Sequence, residues 1–192
     1  MKPSGPWLNK SISKYNIIYA DPPWNFQTYS EKGQGKTPHR HYKCLRLEDL
    51  KKLPIDKLAA KNCVLLLWVI DTHLEVALEL MAAWGFKYKT IAFVWAKTTT
   101  HGKWHFGQGF WTRKNPEICL LGSRGHPKKN SWSVRQLVVE PVRQHSRKPD
   151  RIRSDIVQLL GNVPRVELFA RNRTPGWDVW GNEIQKFRTS KK

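Results

Sequence analysis

Apolar runs alternate along the chain with segments in which hydrophobic residues recur every three or four positions. Residues 63–70 (CVLLLWVI) form an uninterrupted apolar run, which is typical of a parallel strand covered on both faces. The next segment has helical spacing between a capping residue, Asp71 or Thr72, and Gly85 at its end, which predicts a helix. The complete pattern predicts strands at 15–20, 63–70, 87–96, 116–122 and 165–170, and further helices at 47–52 and 149–160.

This order of elements predicts a single α/β domain over residues 1–192, with an open, mostly parallel sheet and helices on both faces. In such sheets ligands bind beyond the carboxyl ends of the strands. Three stretches without periodicity, residues 25–46, 98–114 and 123–135, are rich in basic and aromatic residues and long enough to be functional loops. We therefore expect a site at the carboxyl edge of the sheet.

The charge balance points to a polyanionic partner. The chain has 34 Lys and Arg residues against 15 Asp and Glu residues, a formal net charge of +19, and ten tryptophans that suit stacking on bases. Composition alone leaves a structural nucleic-acid binder as open as an enzyme. Three scattered cysteines argue against a disulfide framework and a structural zinc site. Without a signal-like or membrane-length apolar stretch, a cytoplasmic protein with no membrane contact is expected.

The tetrapeptide Asp21-Pro22-Pro23-Trp24 stands where the first buried strand ends. The exocyclic amine of adenine is a poor nucleophile because its lone pair is conjugated with the ring. A carboxylate and a backbone carbonyl that accept its two N–H groups would aim that lone pair at a methyl donor. The two prolines would hold the intervening carbonyl outward, and Trp24 would offer a stacking face. A bare Asp-Pro-Pro is more often a plain turn, but the buried strand before it and Asn25-Phe26 after it favour the functional interpretation.

Together with other segments, this motif resembles the permuted, DPPW-type N6-adenine methyltransferases. That family includes bacterial and phage enzymes and the catalytic subunit of the eukaryotic messenger-RNA adenosine methyltransferase. The similarity covers residues 15–183, and it implies a Rossmann-like S-adenosylmethionine-dependent methyltransferase fold with circularly permuted motif order, in a phage or bacterial member. The segments that carry it are 19–24 (YADPPW), 107–111 (GQGFW), 115–117 (NPE), 145–150 (HSRKPD), 167–171 (ELFAR) and 176–183 (GWDVWGNE).

The resemblance also implies roles for individual residues. Asp21 and the Pro22 carbonyl would hold the target amine, with Pro23 and Trp24 completing the catalytic loop. Lys148 would pair with the carboxylate of S-adenosylmethionine, where the start of a helix adds free N–H groups. The other cofactor-binding candidates are Glu167, Phe169, Arg171, Asn172, Asn182 and Glu183, and the substrate-binding candidates are Trp24, Asn25, Tyr29, Arg113 and Lys114.

Several of these residues have simpler interpretations. Without the family, Lys148 is one more solvated charge and Asn182 a turn residue. His39 and His41 have no third ligand nearby, so no metal is expected. Relatives often use an acidic residue before the DPPW strand to bind the adenine of the cofactor, but residues 2–9 contain no acid. Which residues bind that end of the cofactor is therefore left open. Gly107-Gln108-Gly109 lacks the strand and helix context of a dinucleotide fingerprint.

Three classes of function remain: an active enzyme, a catalytically silent nucleic-acid-binding subunit and a small-molecule methyltransferase. The intact DPPW motif with Lys148 and Asn182 favours the enzyme, and the charge of +19 argues against a small substrate. Adenine in a duplex hides its reactive edge, so the enzyme must flip it out or take single strands. By resemblance, DNA is favoured over RNA, and a monomer or homodimer is expected. Residues 98–114 and 123–135 are both expected to flank the DPPW crevice.

Overall fold

Seven strands form one mixed sheet in the computed structural model, which describes residues 14–24, 45–109, 111–143 and 147–181. The strands are β1 (Tyr15–Ala20), β2 (Ala59–Val69), β3 (Lys87–Thr98), β4 (Glu117–Arg124), β5 (Leu137–Pro141), β6 (Arg165–Leu168) and β7 (Asp178–Trp180), and the helices are α1 (Leu47–Lys51), α2 (Ile55–Leu58), α3 (Leu74–Ala83) and α4 (Arg151–Leu160). The strand order is β5-β3-β4-β2-β1-β6-β7. Four of the six neighbouring pairs are parallel, and β4 runs antiparallel to both β2 and β3.

The central strands divide their side chains between two hydrophobic cores, one on each face of the sheet. In β1, Ile17 and Tyr19 belong to one core and Ile18 and Ala20 to the other, as the two-residue period of a strand requires. Helix α4 covers the first face, where Ile156 is fully buried, and α1, α2 and α3 cover the second. Because both faces are covered, the central strands have continuous apolar sequences. The α/β class with helices on both faces is confirmed.

The start of α3 differs from the expected capping. A 3-10 turn, Asp71–His73, precedes the helix, and the residue at its N-cap makes no side-chain capping hydrogen bond. Asp71 instead accepts a hydrogen bond from the Thr72 backbone N–H and one from the Lys114 ammonium. The other end is as predicted: Gly85 follows the helix with φ 81°, a conformation that favours glycine. No helix among the described residues is long and apolar enough to cross a membrane.

The antiparallel direction of β4 corrects one expectation. Glu117 begins β4 at the edge where β1 and β2 end, so the strand carries the chain away from that edge. Its 8 residues span about 24 Å at about 3.4 Å per residue. The segment after it is fixed at the opposite edge, where His126 donates its backbone N–H to the Asn62 side chain and Asn130 donates to the Leu159 carbonyl. The prediction that residues 123–135 flank the DPPW crevice is therefore wrong.

Candidate active site

Acidic residues from three strands meet at the carboxyl edge of the sheet. Asp21 follows β1 and Asp71 follows β2, whereas Glu117 begins β4. Because β4 is antiparallel to β2, its first residue lies at the same edge as the last residues of β1 and β2. Lys148 precedes α4 and reaches this edge from the helix side. The fold thus gathers charged groups where open α/β sheets bind ligands.

The Lys148 ammonium lies between two carboxylates. Its Nζ is 2.6 Å from Oδ2 of Asp21 and 3.3 Å from Oε2 of Glu117. Glu117 is also bound on its other oxygen, where the Lys97 ammonium lies 2.5 Å from Oε1. The Lys148 side chain is 9% exposed and that of Asp21 27%, so Asp21 has the largest solvent contact of the group. We call Asp21, Lys97, Glu117 and Lys148 the ionic cluster.

The pKa values of the two carboxylates in the ionic cluster are shifted in opposite directions. Burial raises the pKa of Asp21, and the nearby Lys148 ammonium offsets only part of that effect. Burial has the same tendency at Glu117, but Lys148 and Lys97 together lower its pKa to about 2. Burial disfavours the charge on Lys148, yet the two carboxylates outweigh it and raise the pKa of this ammonium above its ordinary value. Glu117 is therefore the fixed anion, and Asp21 is the carboxylate that gains a proton more easily.

The backbone after β1 folds into a tight turn. The Trp24 N–H donates to the Pro22 carbonyl at 2.8 Å, and the Leu45 N–H donates to the Pro23 carbonyl at 3.2 Å. A hydrogen bond between residues two apart closes a turn of three residues. A carbonyl oxygen has two lone pairs, so the Pro22 carbonyl keeps a second acceptor position.

The side chain of Trp24 corrects the expectation of an open stacking face. Trp24 is 7% exposed, and its indole N–H donates to the Trp68 carbonyl at 2.9 Å. The ring belongs to the core on the α1–α3 face. An apolar ring that buries most of its surface contributes more to folding than to an open site. Trp24 therefore anchors the DPPW turn to β2.

The backbone conformation directly after β6 is unusual. Phe169 has φ 60°, a conformation that costs a bulky residue about 1–3 kcal/mol. Its ring meets Trp180 edge-on at 5.2 Å, and the Ala170 N–H donates to the Trp180 carbonyl. A Cβ atom at Gly181 would lie 2.2 Å from the Ala170 carbonyl oxygen, so this close approach requires glycine. Strain that surrounding packing maintains is common at ligand sites, and this corner leads directly into Arg171.

Glu167 forms a buried ion pair. Its two carboxylate oxygens accept hydrogen bonds from Nε and Nη2 of Arg153, at 2.7 and 2.6 Å. Glu167 is 6% exposed and Arg153 8%. The Arg153 guanidinium also lies 5.8 Å from the centre of the Tyr19 ring. Since both oxygens of Glu167 already have partners, this geometry favours a supporting role over the predicted contact with a cofactor. We call Arg153 and Glu167 the core pair.

The remaining predicted residues fall into three groups. Arg171 is close enough to Asp21 for its charge to offset a small part of the rise that burial causes in the pKa of that carboxyl. Lys114 lies 2.6 Å from Asp71. Both residues are therefore at the carboxyl edge. Asn172 is half-buried in the corner after β6, and Arg113 is exposed. The others lie outside the described residues: Asn25, Tyr29, Asn182 and Glu183.

Hydrogen bonds of the Asn115 side chain fix the loop that follows β3. Asn115 accepts the Lys97 N–H on its side-chain oxygen and donates to the carbonyls of Lys97 and His105. Gly109 makes the turn beyond it possible, because a Cβ there would lie 2.0 Å from the Thr112 carbonyl oxygen. Trp111, at the end of the turn, is fully exposed. Gly109, in the segment Gly107-Gln108-Gly109, thus shapes a loop at the site.

Three site residues had no assigned role in the sequence interpretation: Lys97, Asn115 and Glu117. An available signal was Asn115-Pro116-Glu117, where a polar and an acidic residue open an apolar strand directly after a basic, aromatic loop. Among the described residues, no group of three or more His, Cys, Asp or Glu side chains could hold a metal ion.

Comparison with known proteins identifies the family. The MT-A70 family model matches residues 15–183. Type II methyltransferase M.MunI from a Mycoplasma species is 32% identical over 188 residues, which cover 89% of this chain and 78% of that protein. Human N(6)-adenine-specific methyltransferase METTL4 is 32% identical and human N(6)-adenosine-methyltransferase catalytic subunit METTL3 30% identical, over 91% and 93% of this chain but only 38% and 30% of those proteins. The chain belongs to the MT-A70 family.

This membership confirms the predicted family, the α/β methyltransferase fold and the class of enzyme, an N6-adenine methyltransferase. Methyltransferases of the MT-A70 family use S-adenosylmethionine as methyl donor, as expected for this chain. The residues at the carboxyl edge fit such a cofactor. An ammonium has three N–H donors, and the two carboxylates of the ionic cluster occupy two of those of Lys148. The third suits the cofactor's carboxylate.

Proposed function

We propose that this protein methylates the N6 amino group of adenine in DNA at the crevice beside Asp21. The observation that carries the proposal is the contact of 2.6 Å between the Asp21 carboxylate and the buried Lys148 ammonium at the carboxyl edge. It sets an acceptor for the target amine directly beside a cation for the carboxylate of the cofactor. A silent nucleic-acid-binding subunit would have no use for this pairing.

Asp21 and Pro22 would orient the amine. Oδ2 of Asp21 is bound to Lys148, so Oδ1 is the oxygen proposed to accept one amine N–H, and the Pro22 carbonyl accepts the other. Accepting both N–H groups draws the nitrogen toward tetrahedral geometry and directs its lone pair outward. The acceptors are rigid because Pro22 and Pro23 fix the backbone and Trp24 anchors the turn. The methylated amine is cationic and loses its proton readily, so no strong base is required.

Lys148 would hold the carboxylate of S-adenosylmethionine, which supplies an electrophilic methyl group when bound. Asp21 and the fixed charge of Glu117 keep the Lys148 ammonium in place and protonated, since burial alone would disfavour it. We place the remaining cofactor contacts at the corner after β6 and β7. They comprise Phe169, Arg171, Asn172, Asn182 and Glu183.

The charge favours a nucleic acid as substrate, and the match to a type II methyltransferase favours DNA. The net charge of +19 suits a polyanion, and the match to a type II methyltransferase extends over 78% of that relative. The loop after β3 exposes Trp104, Phe106 and Trp111 at the carboxyl edge, beside Arg113 and Lys114. Such rings can stack on an unpaired base while the cations contact phosphates. RNA is the second candidate, because human METTL3 is named for methylation of adenosine, which is a ribonucleoside. Cytoplasmic location and a monomeric or homodimeric state stay predictions.

The test is transfer of a tritiated methyl group from S-adenosylmethionine to DNA and RNA of matched sequence, in single- and double-stranded form. Mass spectrometry of the digested product identifies the nucleoside. We expect N6-methyl-2′-deoxyadenosine, with Asp21→Ala as the inactive control. N6-methyladenosine from RNA alone would contradict the choice of polymer. No transfer to either polymer by folded protein that binds the cofactor would contradict the proposed function.

A further inference from the structure

A cavity of about 520 Å³ lies on the α4 side of the sheet, away from Asp21. Its floor is apolar and includes Ala92 of β3, Leu121 of β4, Val134 and Leu160. Ser123, near the end of β4, also lines it. This position is at the opposite edge of the sheet from the ionic cluster. We call it the far-edge cavity.

The rim of the far-edge cavity is cationic. Lys89, Lys128 and Lys129 supply its positive charge, and none of its lining residues is an Asp or a Glu. Positive side chains without a carboxylate among them attract an anion. An apolar floor beneath a basic rim suits a ligand that has both a flat apolar part and a negative charge. A nucleotide of a polynucleotide strand has both.

An exposed tryptophan stands beside this rim. Trp132 is 86% exposed, and the Lys129 ammonium lies 3.2 Å from the centre of its ring. Val134, two residues further along, lines the cavity. Basic residues that neutralise phosphates and aromatic rings that stack on bases are the combination with which proteins hold single strands without reading their sequence. One short segment, residues 126–134, carries both.

We propose that the far-edge cavity binds the substrate strand that flanks the target adenine, with phosphates at Lys128 and Lys129 and a base on the apolar floor. This inference rests on the proposed function, whose substrate it extends. Strand β4 links the two places, since it begins at Glu117 in the ionic cluster and ends one residue after Ser123. The six residue steps from Glu117 to Ser123 span about 20 Å, which corresponds to about six nucleotides of a stacked strand. A stacked substrate strand must therefore extend about that far beyond the adenine to use both places.

A direct binding test uses fluorescein-labelled oligothymidylate of twelve nucleotides, which contains no adenine. Lys128→Ala/Lys129→Ala should weaken its binding about tenfold in fluorescence anisotropy and reduce the log–log salt slope by about 1.4, for two phosphates on a single strand. The matched control is Lys52→Ala/Lys57→Ala, which removes the same charge next to α1 and in α2, on the other face of the sheet. The control should bind like the parent protein.

A kinetic test uses substrates with three or twelve nucleotides on each side of the target adenine. Lys128→Ala/Lys129→Ala should raise KM about tenfold for the long substrate only, with kcat unchanged for both. Ala92→Phe fills the floor of the cavity without changing its charge, and it should also raise KM for the long substrate alone. Thermal unfolding of each variant shows that it is folded.

Equal oligothymidylate affinity of the two double-lysine variants would overturn the proposal, and so would a KM that rises equally for short and long substrates. Binding of phosphatidylserine vesicles through Lys128 and Lys129, without oligothymidylate binding, would assign the surface to lipid and overturn it as well. Asp21→Asn separates the two proposals, because it should abolish methyl transfer and still bind oligothymidylate like the parent. If the parent transfers no methyl group but Lys128 and Lys129 still govern oligothymidylate binding, only the proposed function fails.

Discussion

Arg153 in the core pair occupies both carboxylate oxygens of Glu167, whereas the ionic cluster shares its charges unevenly. In the core pair, two N–H groups of one guanidinium meet the two oxygens of one carboxylate, and the side chains are 10% and 8% exposed. In the ionic cluster, the single ammonium of Lys148 serves both Asp21 and Glu117, and Asp21 remains 27% exposed. Both groups are buried and charged, and both contain residues that the sequence interpretation assigned to the cofactor.

The difference distinguishes a structural ion pair from a site. A bidentate pair with both partners satisfied has little left to offer a ligand, and the core pair links α4 to β6 across the α4-side core. A shared ammonium has a spare donor, and a partly exposed carboxylate has a spare acceptor. Burial and charge alone therefore do not identify a binding residue in this protein. We propose that incomplete pairing at a solvent-accessible edge marks the binding residues instead.

The largest expected effect is on the stability of the core pair. Arg153→Met leaves the buried Glu167 carboxylate without its partner and should lower the free energy of unfolding by about 3–5 kcal/mol. Arg153→Met/Glu167→Leu removes both charges and should recover most of that loss. Urea unfolding measures both values, and the affinity of the folded variants for S-adenosylmethionine should stay near that of the parent. A double variant as unstable as Arg153→Met, or a loss of cofactor affinity, would show that the core pair has been misassigned.

A smaller effect is expected on cofactor affinity in the ionic cluster. Lys148→Met removes the cation that should meet the carboxylate of S-adenosylmethionine, at a cost of about 1.5–3 kcal/mol, or about a 10- to 150-fold higher Kd. Lys97→Met is the matched control, because Lys97 contacts Glu117 but is not proposed to contact the cofactor. Isothermal calorimetry compares the two variants. Equal Kd values for both would remove Lys148 from the cofactor site.

The smallest effect concerns the pH dependence of stability at Glu117. Its pKa of about 2 in the folded protein lies below the ordinary value of 4.5, so its charged form stabilises the fold above pH 4.5. That contribution is lost as the pH falls from 4.5 toward 2. Glu117→Gln keeps an oxygen for Lys97 and should therefore cost only about 1–2 kcal/mol at pH 7. The difference between parent and variant in the free energy of unfolding, measured with denaturant, should become smaller as the pH falls. A gap that stays constant down to pH 2 would contradict this role of Glu117.

The fold was largely predictable where hydrophobicity was continuous. Strand β1 has the predicted bounds, because an apolar run ends abruptly at Asp21-Pro22-Pro23. The four-residue helix α2 and the strands β5 and β7 were not predicted, since they are too short to show a period. Strand β4 was predicted without its direction. Antiparallel pairing leaves no trace in a buried apolar run, which explains why the segment after β4 was placed at the wrong edge.

The candidate site was predictable as far as its separate motifs. The DPPW turn and Lys148 are recognisable from sequence, but their contact joins residues 127 positions apart. The burial of Trp24 and the bidentate partner of Glu167 likewise depend on tertiary packing. A tryptophan after a turn and a glutamate at a strand end look the same in the sequence whether they face a ligand or a core. The motifs indicated which residues matter, and the packing distinguishes their roles.

The most direct test of this account is Asp21→Asn, measured in two ways on one preparation. Asparagine keeps the shape of the side chain but loses the charge that orients the amine, and the cofactor contact at Lys148 remains. We predict that the single-turnover rate of methyl transfer to adenine-containing DNA falls at least about 100-fold, while the Kd for S-adenosylmethionine changes by less than about threefold. A rate within about tenfold of the parent, or a cofactor affinity that falls in parallel with the rate, would contradict the division of roles between Asp21 and Lys148.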